Sequence, residues 1–338
     1  MRICRSFFVS ALSSALVALC SVSSAGAQEK LPLQGPGLGN LTYQPNELFK
    51  EISRINYDPK NGIPVEKYGN YKRYGVNVGV MVNGYLVTSF APDSGQPTGG
   101  FMVFDVSNPR NIRRVKYIYD PAGATKDFRE AHSMGVATIK GRTYVTHPTS
   151  KGVEFWDFTD INDIKKVSSI ELSGLNGGDY FDANWQMWWQ APYLYIAGSN
   201  HGVYIVDASD PANPHLVNRG EGKKNPVPTV ALGGFKIGPI FTMGNTMVVT
   251  SMESESPFAT VDISDPKNPV PIAVSQKIPF YYATCYDGKK LYTTGRRHDS
   301  KFQGYNLSSP QKIILENNNT PSREGLYCTT QDHYMFIG

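Results

Sequence analysis

From about residue 75 onward, short apolar runs rich in Val, Ile, Tyr, Phe and Thr alternate with clusters of Gly, Pro, Asn and Asp. The runs read as strands and the clusters as turns. This texture excludes helical repeats. One phrase recurs, first as Phe101-Met102-Val103-Phe104-Asp105-Val106-Ser107-Asn108-Pro109. It returns as Gly152-Val153-Glu154-Phe155-Trp156-Asp157-Phe158-Thr159-Asp160 and as Gly202-Val203-Tyr204-Ile205-Val206-Asp207-Ala208-Ser209-Asp210-Pro211. A fourth copy is Ala259-Thr260-Val261-Asp262-Ile263-Ser264-Asp265-Pro266, and a degenerate fifth is Gln303-Gly304-Tyr305-Asn306-Leu307-Ser308-Ser309-Pro310. The aligned Asp or Asn recurs from 105 to 157, 157 to 207, 207 to 262 and 262 to 306, steps of 52, 50, 55 and 44. A four-stranded propeller blade takes ~40–50 residues.

Each period resolves into the same parts. A first strand, such as Ser133 to Ala137, leads to a turn at Lys140-Gly141. Second strands follow at Tyr144-Val145-Thr146, Leu194-Tyr195-Ile196, Met247-Val248-Val249 and Leu291-Tyr292-Thr293. The repeated phrase is the third strand, and Pro214-His215-Leu216-Val217 is a fourth. The acid closing each third strand reads as a turn residue, its carboxylate accepting the backbone N–H two residues on. One such residue per blade is a better account of four recurring acids than catalysis is.

These phrases resemble the LVIVD repeat family, named for its third-strand signature. Gly202 to Pro211 carries the resemblance most fully, the copies at Asp105 and Asp262 carry it well, and those at Asp157 and Asn306 more loosely. The resemblance spans roughly residues 75 to 338 and implies a β-propeller in an exported, mostly bacterial protein. It implies little about activity, because fold is not function. The expected architecture is therefore all-β, a β-propeller of four-stranded antiparallel blades over residues 73–338. Five blades are complete, and a sixth begins at Glu324-Gly325-Leu326-Tyr327-Cys328. An open strand edge there points to a fragment of a longer protein. The alternative is a six-blade ring completed by a strand from residues 31 to 60.

The N-terminus changes the expected compartment. Met1 to Arg5 is basic, Phe7 to about Val22 is largely apolar, and Ala25-Gly26-Ala27 presents small residues before Gln28. That is the pattern of a signal peptide over residues 1–27, and the protein is expected to be periplasmic or secreted. A lipoprotein reading of Cys20 fails on Leu19, where a small residue is required. Residues 28–72, rich in Pro, Asn, Gly and Lys, read as a leader. No later run approaches the ~20 apolar residues of a spanning helix. The net charge of +4 is spread along the chain and gives nucleic-acid binding no support. Beyond the signal, Cys285 and Cys328 stand at matching positions of neighbouring blades. A disulfide and two buried thiols both fit that placement.

Candidate chemistry gathers at one face. Loops entering innermost strands and loops joining second to third strands share an end of the blades, the channel mouth of a propeller. The first group brings Glu130, His132, Asp182, Lys236, Tyr281, Arg323 and Glu324. From the second come His147, Ser199-Asn200-His201, Glu253, Glu255 and Arg296-Arg297-His298-Asp299. Imidazole and carboxylate are ligands of divalent transition metals, which makes His132, His147, His201 and His298 the candidate metal ligands. A solvated polar rim without metal explains the same residues. His215 and His333 map elsewhere. In Trp185-Gln186-Met187-Trp188-Trp189-Gln190, strand alternation sends Trp185, Met187 and Trp189 to one side and Trp188 to the other. They pack between blades or form a stacking platform for a sugar or apolar ligand.

No G-x-S-x-G, Walker, G-x-G-x-x-G or C-x-x-C motif stands in the chain. The leading reading is therefore a binding scaffold for a protein, an envelope component or a small ligand. Asp182, Lys236, Glu253, Trp185, Trp188 and Arg297 are its candidate contacts. The alternative is a metal-dependent hydrolase or oxidase, in which the metal lowers the pKa of a bound water.

Overall fold

The computed structural model describes residues 76–91, 99–120, 122–176, 182–217, 227–251, 253, 255–278, 283–294, 301–321, 328–331 and 334–337. The expected signal peptide and the leader lie outside them. Five four-stranded antiparallel sheets follow one another, each a meander in chain order. Blade one holds β1 (Val76–Val82), β2 (Tyr85–Phe90), β3 (Gly100–Asp105) and β4 (Arg113–Tyr119). Blade two holds β5 (Val136–Ile139), β6 (Arg142–Pro148), β7 (Gly152–Asp157) and β8 (Lys165–Glu171). Blade three is β9 (Met187–Gln190), β10 (Tyr193–Ala197), β11 (Val203–Asp207) and β12 (His215–Leu216). Blade four is β13 (Ile237–Met243), β14 (Thr246–Ser251), β15 (Ala259–Asp262) and β16 (Val270–Val274). Blade five is β17 (Ala283–Tyr286), β18 (Lys290–Thr294), β19 (Lys301–Asn306) and β20 (Ile314–Pro321). A hairpin of β21 (Cys328–Gln331) and β22 (Tyr334–Ile337) begins the sixth.

Alternation along the third strands of blades two and three feeds two interfaces at once. In blade three, Tyr204 and Val206 join Val153 and Phe155 of blade two, whereas Val203 and Ile205 join Val249, Ala259 and Val261 of blade four. Phe101 and Val103 meet Val145 and Trp156 between blades one and two. Phe241 and Val248 meet Leu291 and Tyr305 between blades four and five. Each fully buried Val, Leu, Ile or Phe contributes roughly 1.5–3 kcal/mol. The core is thus divided into interblade layers.

The turns follow local rules. Asn83-Gly84 and Lys140-Gly141 both have positive φ at each residue, the conformation of a two-residue hairpin matched to strand twist. Gly100 and Gly152 open their third strands, where a Cβ would collide with the carbonyl oxygen of Ile118 or Ile170 in the fourth strand. The acid closing each third strand does what its position demands. Asp105, Asp157, Asp207, Asp262 and Asn306 accept the N–H of Ser107, Thr159, Ser209, Ser264 and Ser308 at 2.8–3.0 Å. The Ser107 hydroxyl, its N–H and Arg113 together hold the Asp105 carboxyl down at about 2.

The same turns dock on the preceding blade. Ser168 of blade two donates to the Pro211 carbonyl at 2.6 Å, and Thr260 of blade four donates to that of Pro310 at 2.7 Å. Cys285 in β17 and Cys328 in β21 form a disulfide with Cα atoms 5.8 Å apart, which settles the open alternative between bridge and free thiols. It closes a separation of 43 residues, worth about 4 kcal/mol in the chain-entropy account.

The third-strand turn is open to a direct test. Asp207→Ala removes the acceptor for Ser209 and is expected to lower unfolding stability by about 1 kcal/mol in denaturant titration. Asp207→Asn, which keeps an acceptor as Asn306 does in blade five, is expected to recover most of that loss.

Candidate functional site

In an antiparallel meander the loop entering the first strand and the loop joining second to third strands lie at the same end of the sheet. The structure pairs their side chains in blades three and four, and in blade two it pairs two residues of the entering loop. In blade three, Asp182 accepts from Asn200 Nδ2 at 2.9 Å and lies 3.5 Å from His201 Nε2. The turn that carries them is tight, with Ser199 at φ 51° and the His201 N–H on the Gly198 carbonyl at 2.8 Å. Gly174 lies beside the His201 ring, where a Cβ would fall 2.9 Å from Nδ1. In blade four, Lys236 Nζ meets Glu253 Oε1 at 2.7 Å, and the Glu253 N–H donates to Ser251 Oγ at 2.9 Å. In blade two, Glu130 Oε1 lies 3.8 Å from His132 Nε2.

Contacts also run from blade to blade along this end. The His132 ring stacks on Trp185 at 3.8 Å, Asn184 Nδ2 donates to the Gly152 carbonyl at 2.7 Å, and the Ile237 N–H reaches the Ser199 carbonyl at 3.0 Å. The base of the site is therefore buried. His132 is 5% exposed, whereas Asp182, His201, Lys236 and Glu253 are about one-third exposed. A rigid floor carrying half-exposed opposite charges can recognise a polar or charged partner.

Two placements differ from the sequence expectation. His147 lies inside β6, because that strand continues through Pro148. The alternation that buries Val145 turns His147 the same way, into the layer between blades one and two. Its ring stacks on Phe128 at 3.7 Å and meets the edge of Phe101 at 5.3 Å. Nδ1–H donates to the Pro148 carbonyl at 2.7 Å. Burial, with help from Arg129 and against that hydrogen bond, pushes the imidazole down to about 3, so it is neutral.

The tryptophans also depart from simple alternation. Met187 and Trp189 face blade two, but Trp185 precedes β9 and joins the layer toward blade four. Trp188, partly buried, packs on Phe241 at 5.5 Å. These indoles are spent on interblade packing, which leaves little for a stacking platform.

Among the described residues no three His, Cys, Asp or Glu side chains converge to hold a metal. Arg297 and His298 lie outside those residues. His215, on the outer strand β12, is 3.9 Å from Asp207, away from this end. Sequence reasoning passed over Asn184, and also Glu154, whose carboxylate is buried between blades one and two. Trp156 Nε1 and Lys166 Nζ each donate to it at 3.0 Å. The signal for Glu154 is in the repeat itself: it stands where the third strands of blades one, three and four have Met102, Tyr204 and Ala259.

A family model described as the LVIVD repeat matches residues 186–220, the strands of blade three. This stretch of the chain is an LVIVD repeat. Such repeats form β-propellers, in agreement with the five blades described above. No curated protein matches the chain. Among solved structures, a candidate 6-phosphogluconolactonase from Bacteroides fragilis NCTC 9343 is 8% identical with a TM-score of 0.55. That alignment covers 77% of this chain and 75% of the other. A protein from Lactobacillus plantarum is 10% identical, with a TM-score of 0.52 over 72% of this chain and 70% of its own. At such identities both similarities speak to fold alone. Among the described residues no helix is long and apolar enough to cross a membrane.

Burial separates the histidines in measurable ways. His132→Ala removes a stacked, buried ring and is expected to cost about 1–3 kcal/mol of stability, whereas His201→Ala is expected to stay within about 0.5 kcal/mol. For His147 the folded pKa lies below the ordinary 6.5, so acid favours the unfolded chain, which takes up the proton first. Stability is expected to fall by about 1–3 kcal/mol between about pH 6.5 and 4.5. Denaturant titrations across that range should show the slope in the wild type and its loss in His147→Leu. The depressed carboxylates Asp105 and Asp262 keep their contribution until the pH drops below about 4.

Proposed function

We propose that this LVIVD-repeat protein is an exported binding scaffold whose loop end, across blades two to four, recognises a protein, an envelope component or a small ligand. The observation that carries the reading is the combination of Asp182, Asn200, His201, Lys236 and Glu253 in half-exposed pairs on a buried, cross-linked floor. Such a surface loses little conformational freedom on binding. Export is supported by the basic, apolar and small-residue pattern of residues 1–27. The Cys285–Cys328 disulfide is also in keeping with an oxidising compartment.

The test uses the full chain expressed in its own envelope, with a photo-crosslinking residue at Asn200 or, at the opposite end of the blades, at Asn245. A discrete adduct from Asn200, weakened when Lys236 and Glu253 are both changed to Ala and absent from Asn245, is the expected result. Adducts equal from both ends, or none from Asn200, would overturn the assignment. Intact mass of the exported protein should place its first residue at Gln28; a retained N-terminus would remove the export reading.

A further inference from the structure

We propose that His147 is an acid release for the strap of residues 122–132, which enters blade two and brings Glu130 and His132 to the loop end. The strap is fastened on two sides. Toward blade one, Phe128 is fully buried, stacked on the His147 ring at 3.7 Å. Its ring also meets Phe101 edge-on at 5.0 Å and Trp156 at 5.8 Å. Toward blade three, His132 stacks on Trp185 at 3.8 Å. Between them the Phe128 N–H donates to the Thr125 carbonyl at 3.1 Å, and the Ser150 N–H donates to that of Asp127 at 3.2 Å.

Stacking on Phe128 does not itself oppose a charge on the imidazole, since a ring face tolerates a cation. The other surroundings do. His147 is fully buried, its Nδ1–H is used on the Pro148 carbonyl, and Nε2 has no partner among the described residues. A proton on Nε2 would meet no acceptor, and Arg129, buried on the same strap, would repel it. Blade one offers Phe101 and its register partner Ser89, both uncharged. The carboxylate of this layer, Glu154, is held by Lys166 and the Trp156 indole. Protonation therefore requires the ring to reach water. Phe101 and Pro148 lie in strands, whereas Phe128 lies on a loop, so the strap is the part that can lift away. The folded imidazole near 3 lies below the ordinary 6.5, so protons favour the open strap as the pH falls below about 6.5. Glu154, which burial raises, pulls the other way, and its two donors limit that pull. In acid, then, Glu130 and His132 leave the loop end and recognition there weakens. This consequence rests on the binding reading, but the release does not.

Hydrogen exchange read by mass spectrometry tests the release on the purified full chain, with rates corrected for the pH dependence of free-amide exchange. Between about pH 7.5 and about pH 5, opening of 122–132 in the wild type is expected to rise about thirtyfold, with β9 to β16 unchanged. His147→Leu, or His147→Gln should Leu disturb the packing, is expected to abolish the rise and to stay protected at the higher pH. Glu154→Gln should keep the rise or steepen it. Lys126, Asp127, Arg129, Glu130, His132 and Lys166 are present in every form, so a rise that survives replacement of His147 belongs to one of them and overturns the release. Unchanged protection of the strap in acid overturns it too. So does a parallel loss across β9 to β16, which would make His147 a determinant of the whole fold. No partner is present in this measurement, so its failure leaves the binding reading standing, and a failed crosslink at Asn200 leaves the release standing.

Discussion

Everything in this molecule depends on the apolar contact between one blade and the next. A four-stranded sheet has two faces, and here both are apolar at alternate positions of the third strand. Tyr204 and Val206 serve the layer toward blade two, and Val203 and Ile205 serve the layer toward blade four. No blade can satisfy both faces alone, so the chain repeats. The constraint also fixes what the strands cannot be. Polar residues on these faces must bring their own partners, as Glu154 does with Lys166 and the Trp156 indole, or lose their charge, as His147 does.

The two ends of each blade then acquire different work. At the end closing the third strand, Asp207 and its equivalents hold a turn, and that turn touches the preceding blade through the carbonyl of Pro211 or Pro310. Side chains there are consumed by the fold. At the other end the loops are not bound to a repeated phrase, and Asp182, Asn200, Lys236 and Glu253 pair within their own blades. Beneath them, cross-blade contacts such as His132 on Trp185 keep the floor in register. Freedom of sequence above a fixed floor is what lets a repeat fold carry a specific function.

Legibility in the sequence followed the range of the interaction. The turn of Asp207 is a contact between residues two apart, so the repeated phrase announces it directly. The blade count came from the same phrase. That Asp182 and His201, or Lys236 and Glu253, share one end follows from aligning the loops, although their pairing and distances do not. The failures were of another kind. The aligned second strands end at Thr146 and so put His147 in a loop; one more pair of residues in β6 reverses its surroundings from solvent to core. Alternation does not reach Trp185, because that rule holds only inside a strand and β9 starts at Met187. The stack of His132 on Trp185 spans two blades and has no local signature at all.

The cysteine pair belongs to both classes, which explains why the sequence left it open. Matching repeat positions put Cys285 and Cys328 in the first strands of consecutive units, and that much is pattern. Whether neighbouring first strands come within bonding reach depends on how closely blades converge at their inner edges, a property of packing between sheets and not of the phrase that builds them. Their Cα separation of 5.8 Å lies inside the range that a disulfide tolerates. The bridge is thus a readout of the same interblade contact on which the fold rests, made covalent between the first strands of consecutive units.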